Sequence, residues 1–167
     1  MSRLDIIRNK IFLSTDTDYH RMLTIRQFQG KKIVFTNGCF DILHLGHIDY
    51  LSKAADLGDM LIIGLNSDFS VSSIKGNTRP LQDEMSRAMV LASLCFVDIV
   101  VLFGEDTPYN LIKVTQPDIL VKGADYKPED IVGYNIVKNK GGKIATLTFL
   151  EGYSTTAIEK KILGVRI

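Results

Sequence analysis

From Lys31 onward, short apolar runs alternate with stretches of helical spacing, and nothing else in this 167-residue chain restricts its fold so much. Ile33–Thr36, Met60–Leu65, Ile99–Phe103, Ile119–Val121 and Ile144–Phe149 read as strands. Helical patterns at about 46–57, 83–95, 107–116, 131–140 and 154–163 separate or follow them. Punctuation agrees: Gly58 follows the first of these helices, Pro108 sits where a first turn tolerates it, and Gly141-Gly142 stops the helix before the last strand. Strands joined through helices need crossover connections. The pattern therefore predicts a three-layer α/β/α domain over residues 31–167, built on a mainly parallel five-stranded sheet covered on both faces.

Residues 1–30 have a different grammar. Leu4, Ile7 and Ile11 recur at helical spacing, and after Asp16 and Asp18 a second run places Met22, Ile25 and Phe28 on one face. Capping side chains fill the break at Ser14–Asp18, which predicts a helical N-terminal leader of two helices. Charge narrows the partners. With 20 Lys+Arg against 19 Asp+Glu, no long-range field draws in nucleic acid or an anionic membrane, so an anionic ligand must be held by locally arranged donors. The longest uncharged stretch, Ala88–Val97, is ten residues, where a bilayer span needs about 20. Arg3, Asp5 and Arg8 leave no apolar signal core, and two cysteines, Cys39 and Cys95, suit a reducing compartment. A cytoplasmic protein is expected.

In open parallel sheets ligands sit beyond the carboxyl ends of the strands, and the polar residues concentrate there. Two of the three histidines fall in His44-Leu45-Gly46-His47, where the first strand of the domain passes into its first helix. Free N–H groups and the helix dipole favour an anion at such a point. Residues three apart project to one side, and Gly38 and Gly46 remove side chains that would obstruct a phosphate. Cys39 with the two histidines also offers three metal ligands, but no fourth is evident and no metal site is assigned. Ser154, Thr155 and Thr156 open the last helix; they cap it as any hydroxyls would, and they also make a second helix N-terminus available to phosphate.

Thr36-Asn37-Gly38-Cys39-Phe40-Asp41 running into His44–His47 resembles the H-x-G-H signature of the cytidylyltransferase-like nucleotidyltransferases. Asn66-Ser67-Asp68, Lys75-Gly76 with Arg79-Pro80, Glu105–Pro108, Val121-Lys122-Gly123-Ala124-Asp125-Tyr126, and Gly152 with Ser154–Thr156 extend the likeness to the ADP-heptose synthase branch. There are departures. Glycerol-phosphate cytidylyltransferases carry an Arg where this chain has Phe149-Leu150, and the heptose enzymes commonly have a second Gly where it has Ala124.

The resemblance implies a Rossmann-like fold and transfer of AMP from ATP to D-glycero-β-D-manno-heptose 1-phosphate, giving ADP-heptose for the lipopolysaccharide core. A phosphate monoester is already ionised at neutral pH, so the reaction needs positioning and anion stabilisation, not a base. By resemblance His44, His47 and Lys75 are catalytic. Thr36, Asn37, Gly38, Cys39, Phe40, Gly46, Arg79, Arg87, Lys122, Gly123, Asp125, Tyr126, Ser154, Thr155 and Thr156 bind nucleotide or phosphate. Asp41, Asn66 and Asp68 face the sugar phosphate. Lys75–Pro80 is expected to be a loop closing over the triphosphate, Mg2+ to arrive with ATP, and the protein to be a homodimer served by a separate sugar kinase and phosphatase. A cytidylyltransferase for glycerol 3-phosphate or another small phosphate, and a non-catalytic nucleotide-binding module, remain alternatives.

Overall fold

A computed structural model describes residues 1–124 and 127–164. Its sheet has six strands, all parallel, in the order β1-β4-β3-β2-β5-β6, formed by Ile11–Leu13 (β1), Ile33–Gly38 (β2), Met60–Asn66 (β3), Ile99–Phe103 (β4), Ile119–Gly123 (β5) and Lys143–Leu147 (β6). The period-two alternation of side chains sorts the strands' apolar residues onto two faces. Leu61, Ile63, Leu65, Val100 and Leu102 join one core layer with helices α3 (Leu45–Ala55) and α5 (Glu84–Ala92). Met60, Ile62, Val101 and Phe103 join the other with α2 (Thr17–Phe28), α6 (Tyr109–Thr115) and α7 (Tyr134–Asn139). All seven residues of β3 are buried, as expected of a central parallel strand. Gly64 is required there: a methyl at that position would stand 2.8 Å from the Phe35 ring.

The expected five-strand sheet is thus a six-strand one, and the extra strand comes from the segment read as wholly helical. The first helix, α1 (Arg3–Arg8), opened by a Ser2/Asp5 capping box, ends before Ile11. Ile11–Leu13 then pairs with Val100–Leu102 at the sheet edge. A three-residue strand is too short to display a period of its own, so the Leu4/Ile7/Ile11 spacing reads through it. In α2 the buried face is also not the one expected. Tyr19 and Leu23 are buried, whereas Ile25 and Phe28 face solvent. The Tyr19 hydroxyl lies 2.6 Å from Thr115 Oγ1, which in turn donates to the Leu111 carbonyl at 2.7 Å. Burial pushes the Tyr19 phenol up to about 12. A further helix, α4 (Asp68–Lys75), escaped the reading because three of its eight residues are serines, whose low propensity hides it. Ser67 caps it by accepting from Ser70 N–H at 3.2 Å.

From β2 the chain winds outward through β3 to β4, then returns to lay β5 on the other side of β2. The reversal opens a crevice between the carboxyl ends of β2 and β5, where an open α/β sheet binds its ligands. Tyr19→Ala should cost about 3–5 kcal/mol, as for other buried aromatics. Urea denaturation of this variant followed by circular dichroism should still show one transition, and a separate early transition would make residues 1–30 an independent unit.

Candidate active site

The crevice is a cavity of about 320 Å³ lined by Asn37, Gly38, Cys39, Phe40, Asp41, His47, Tyr50, Lys75, Lys122, Gly123, Phe149 and Thr155. A groove of similar size, about 330 Å³, lies by Met60 and Ile99 at the opposite, amino ends of the strands. It holds none of the candidate site residues, and the parallel-sheet rule places ligands at the carboxyl end.

Two helix N-termini meet at the cavity. His44 is the extended residue before α3, and its ring stacks on that of His47 with centroids 3.8 Å apart and planes inclined by 22°. The Phe40 ring meets His47 edge-on at 5.3 Å. Phe40 holds a positive φ of 45°, and a methyl on Gly38 would approach its ring to 3.0 Å. Gly38 thus makes room for Phe40, and Gly46 makes room for the His44 ring and for Tyr153, whose Cβ would stand 3.2 Å from a methyl there. The second N-terminus belongs to α8 (Thr155–Ile162), capped by Ser154 Oγ accepting from Ala157 N–H at 3.1 Å.

Both imidazoles are held neutral. Burial lowers the pKa of His44, and burial, the neighbouring His44 and the Lys75 ammonium lower His47 to about 4, with the Ile42 main chain opposing weakly. Lys122, on β5, reaches across to β2, where its Nζ donates to Asn37 Oδ1 at 2.5 Å. Burial lowers its pKa to about 8, so it remains mostly protonated at neutral pH. Burial also pushes the Cys39 thiol up, against the pull of Lys75, Arg87 and Lys122. An anion entering the cavity thus meets Lys75, Lys122 and the ring of His47, against which His44 is stacked, and its own charge raises the imidazole pKa values.

Several residues expected to touch ligand already have partners within the protein. Thr36 is buried with its hydroxyl 2.8 Å from that of Tyr50. Arg87 is no exposed phosphate binder: its side chain is fully buried. Its Nε donates to the Gln82 carbonyl at 3.0 Å, Nη1 to the Cys39 carbonyl at 2.6 Å, and Nη2 to the Asn66 carbonyl at 2.9 Å and Asp68 Oδ1 at 2.7 Å. Asn66 is further engaged through its Nδ2, which donates to Ser70 Oγ at 2.9 Å. The Asp41 carboxylate accepts from Arg79 Nη1 at 3.0 Å and from the N–H groups of Leu81 and Gln82 at 2.8 and 3.1 Å. Arg79 is also ion-paired with Glu159. It is therefore not a free clamp on the 75–80 segment, of which Lys75 belongs to α4. Thr156 is exposed, and Asp125 and Tyr126 lie outside the described residues. His20 is structural, its Nε2 lying 3.1 Å from the Ser14 carbonyl.

Tyr50, Phe149 and Glu159 were missed by sequence reasoning. Only Tyr50 carried a signal, one helical turn beyond His47 on the same face. Among the described residues no group of three His, Cys, Asp or Glu side chains is placed to hold a metal ion. No described helix is long and apolar enough to cross a membrane.

Removing Arg87 would take a partner from the carbonyls of Cys39, Asn66 and Gln82 and from the Asp68 carboxylate at once. Arg87→Met should therefore cost about 3–5 kcal/mol, the range for breaking a buried charged tie, read from the urea midpoint. The His47 shift has its own pH signature. With a folded pKa of about 4 against an unpaired value of 6.5, the unfolded chain takes up the proton first. Stability should fall as pH drops from 6.5 towards 4 and level off below. Acidification should cost His47→Gln less than the wild type, and equal losses would show that His47 is not the buried neutral base.

A model of the cytidylyltransferase-like family matches residues 35–161. The bifunctional protein HldE of Geobacter metallireducens is 56% identical over 135 residues, 81% of this chain and 28% of that protein. HldE of Campylobacter jejuni subsp. doylei is 56% identical over 141 residues, 84% of this chain and 30% of its own length. The chain thus spans less than a third of the length of these curated relatives. The crystal structure of the lipopolysaccharide core biosynthesis protein from Thermoplasma volcanium is similar with a TM-score of 0.60 at 30% identity, covering 73% of this chain and all of that one. Pantoate-beta-alanine ligase from Francisella tularensis shares the fold alone, with a TM-score of 0.58 at 20% identity over 94% of this chain and 78% of its own. With the H-x-G-H segment on the rim of the cavity and a family match over most of its length, this chain belongs to the cytidylyltransferase-like family.

Proposed function

We propose that this domain transfers AMP from ATP to D-glycero-β-D-manno-heptose 1-phosphate, releasing pyrophosphate and giving ADP-heptose for lipopolysaccharide core synthesis in the cytoplasm. The observation that carries the reading is the convergence of two helix N-termini, His47 with His44 stacked on it, Lys75 and Lys122 at one cavity at the sheet's reversal. The sugar phosphate oxygen, already ionised, attacks the α-phosphorus of ATP, and the bond to the pyrophosphate oxygen breaks. Charge shifts to the leaving pyrophosphate as that bond lengthens. His44 and His47 donate N–H to the transferring phosphate and become more basic as its charge grows. Lys75, Lys122 and the free N–H groups of α8 bind the remaining phosphates, orienting two mutually repelling anions for in-line displacement.

Within this reading Asp41 and Asp68 hold the phosphate-facing loops in place, and the acceptor sugar meets the remaining polar groups of the rim. Their carboxylates are bonded to Arg79, Arg87 and main-chain N–H groups. Mg2+ fits this donor set as an ion ligated chiefly by triphosphate oxygens and water, supplying charge neutralisation. The absence of an Arg at Phe149-Leu150 favours adenylyl over cytidylyl transfer to glycerol phosphate. Homodimerisation, and kinase and phosphatase steps carried by other polypeptide segments, complete the proposal.

Pyrophosphate release should be fastest with ATP and heptose 1-phosphate. Comparable kcat/KM for CTP with glycerol 3-phosphate would refute the heptose assignment. His44→Ala and His47→Ala should each lower kcat by about 10²- to 10³-fold, the loss expected for one transition-state donor, with much smaller changes in ATP affinity. A variant that keeps near-wild-type turnover would remove its histidine from the chemistry.

A further inference from the structure

Arg79 is held by two carboxylates from different elements, Asp41, which lines the cavity, and Glu159. Asp41, on the loop that leaves β2, lies three residues before His44. Glu159 lies one turn beyond Thr155 on α8. The guanidinium joins them, linking the loop that carries the histidines to the helix whose first turn closes the cavity. On the Asp41 side the anchor is firm, because that carboxylate is buried and also holds the N–H groups of Leu81 and Gln82.

The α8 side is different. None of its side chains is fully buried, so apolar packing contributes little to its placement and the segment belongs to the less stable part of the fold. Two features fix it: the turn before it leans on Gly46 of α3 through Tyr153, and its second turn is tied to Arg79. A helix dipole acts over the first turn only, so a small displacement of α8 withdraws its partial charge from the cavity.

We infer that Arg79 is a positioning residue, which by pairing with both Asp41 and Glu159 sets the N-terminus of α8 against that of α3 and does not itself contact phosphate. Its kinetic consequence rests on the nucleotidyltransferase reading; its structural consequence does not. Because α8 would grip phosphate equally in the ground and transition states, losing its placement raises KM with little change in kcat.

The test compares Glu159→Gln, Arg79→Met and the double variant with the wild type by hydrogen exchange and steady-state kinetics. In ligand-free protein, amides 155–162 should exchange faster in both single variants and no faster in the double, with α3 unchanged. KM for ATP should rise about tenfold in all three, within the reach of a helix-terminus interaction, while kcat falls no more than about threefold. Glu159→Gln is nearly isosteric at a partly exposed site and keeps the test open should Arg79→Met fold poorly. If Glu159→Gln leaves α8 exchange unchanged, the inference is overturned; if it lowers KM while Arg79→Met raises it, Arg79 acts on phosphate directly and the inference is likewise overturned. If the wild type shows no ATP-dependent turnover yet both single variants loosen α8, the positioning role stands and the activity falls.

Discussion

One buried guanidinium holds together the loops that make this site. Arg87 lies under the carboxyl edge of the sheet and reaches the loop after β2 at Cys39, the end of β3 at Asn66, the start of α4 at Asp68 and the segment before α5 at Gln82. Each of these segments turns sharply away from the sheet, and each presents a main-chain carbonyl or carboxylate that secondary structure leaves unpaired. Arginine suits the position because its planar fork offers five donors in fixed directions. Lysine would present a point charge and could not bind four segments at once.

Charge is also arranged locally. The domain has nearly equal numbers of acidic and basic residues, so attraction for phosphates must arise from the immediate surroundings of the cavity. Among the described residues, three carboxylates of the surrounding loops and helix starts are already engaged: Asp41 by Arg79 and two N–H groups, Asp68 by Arg87, and Glu84 by the Asp68 N–H. Lys75, Lys122 and two helix N-termini are left facing the space. Burial lowers the pKa of His44 and His47, which limits repulsion between cations at the cavity, and a bound anion would raise their basicity.

Particular residues show how far the sequence could be read. Strands β2 to β5 were legible because buried parallel strands are mostly unbroken apolar runs, whereas β6, also expected, has no fully buried residue. The histidine segment was legible because two imidazoles three residues apart, at a strand-to-helix junction, stand where free N–H groups already favour an anion. β1 was not legible, since three residues carry no period, and its pairing with β4 joins positions about 90 apart in sequence. The buried stripe of α2 was misread for a related reason. Which face is covered depends on where α6 places Thr115 and Leu111, and the helix's own pattern does not record that.

The sequence by itself determined the layered α/β architecture and the strand-to-helix junctions that line the cavity, because local periodicity and helix-terminus electrostatics act over a few residues. Only the tertiary structure decided which charged groups face the cavity. Arg79, Arg87, Asp41 and Asp68 have the composition of a binding site, yet each is taken up by partners 19 to 80 positions away. Whether a charge is free for a ligand depends on which distant groups the fold brings beside it, and chain neighbours carry no information about that.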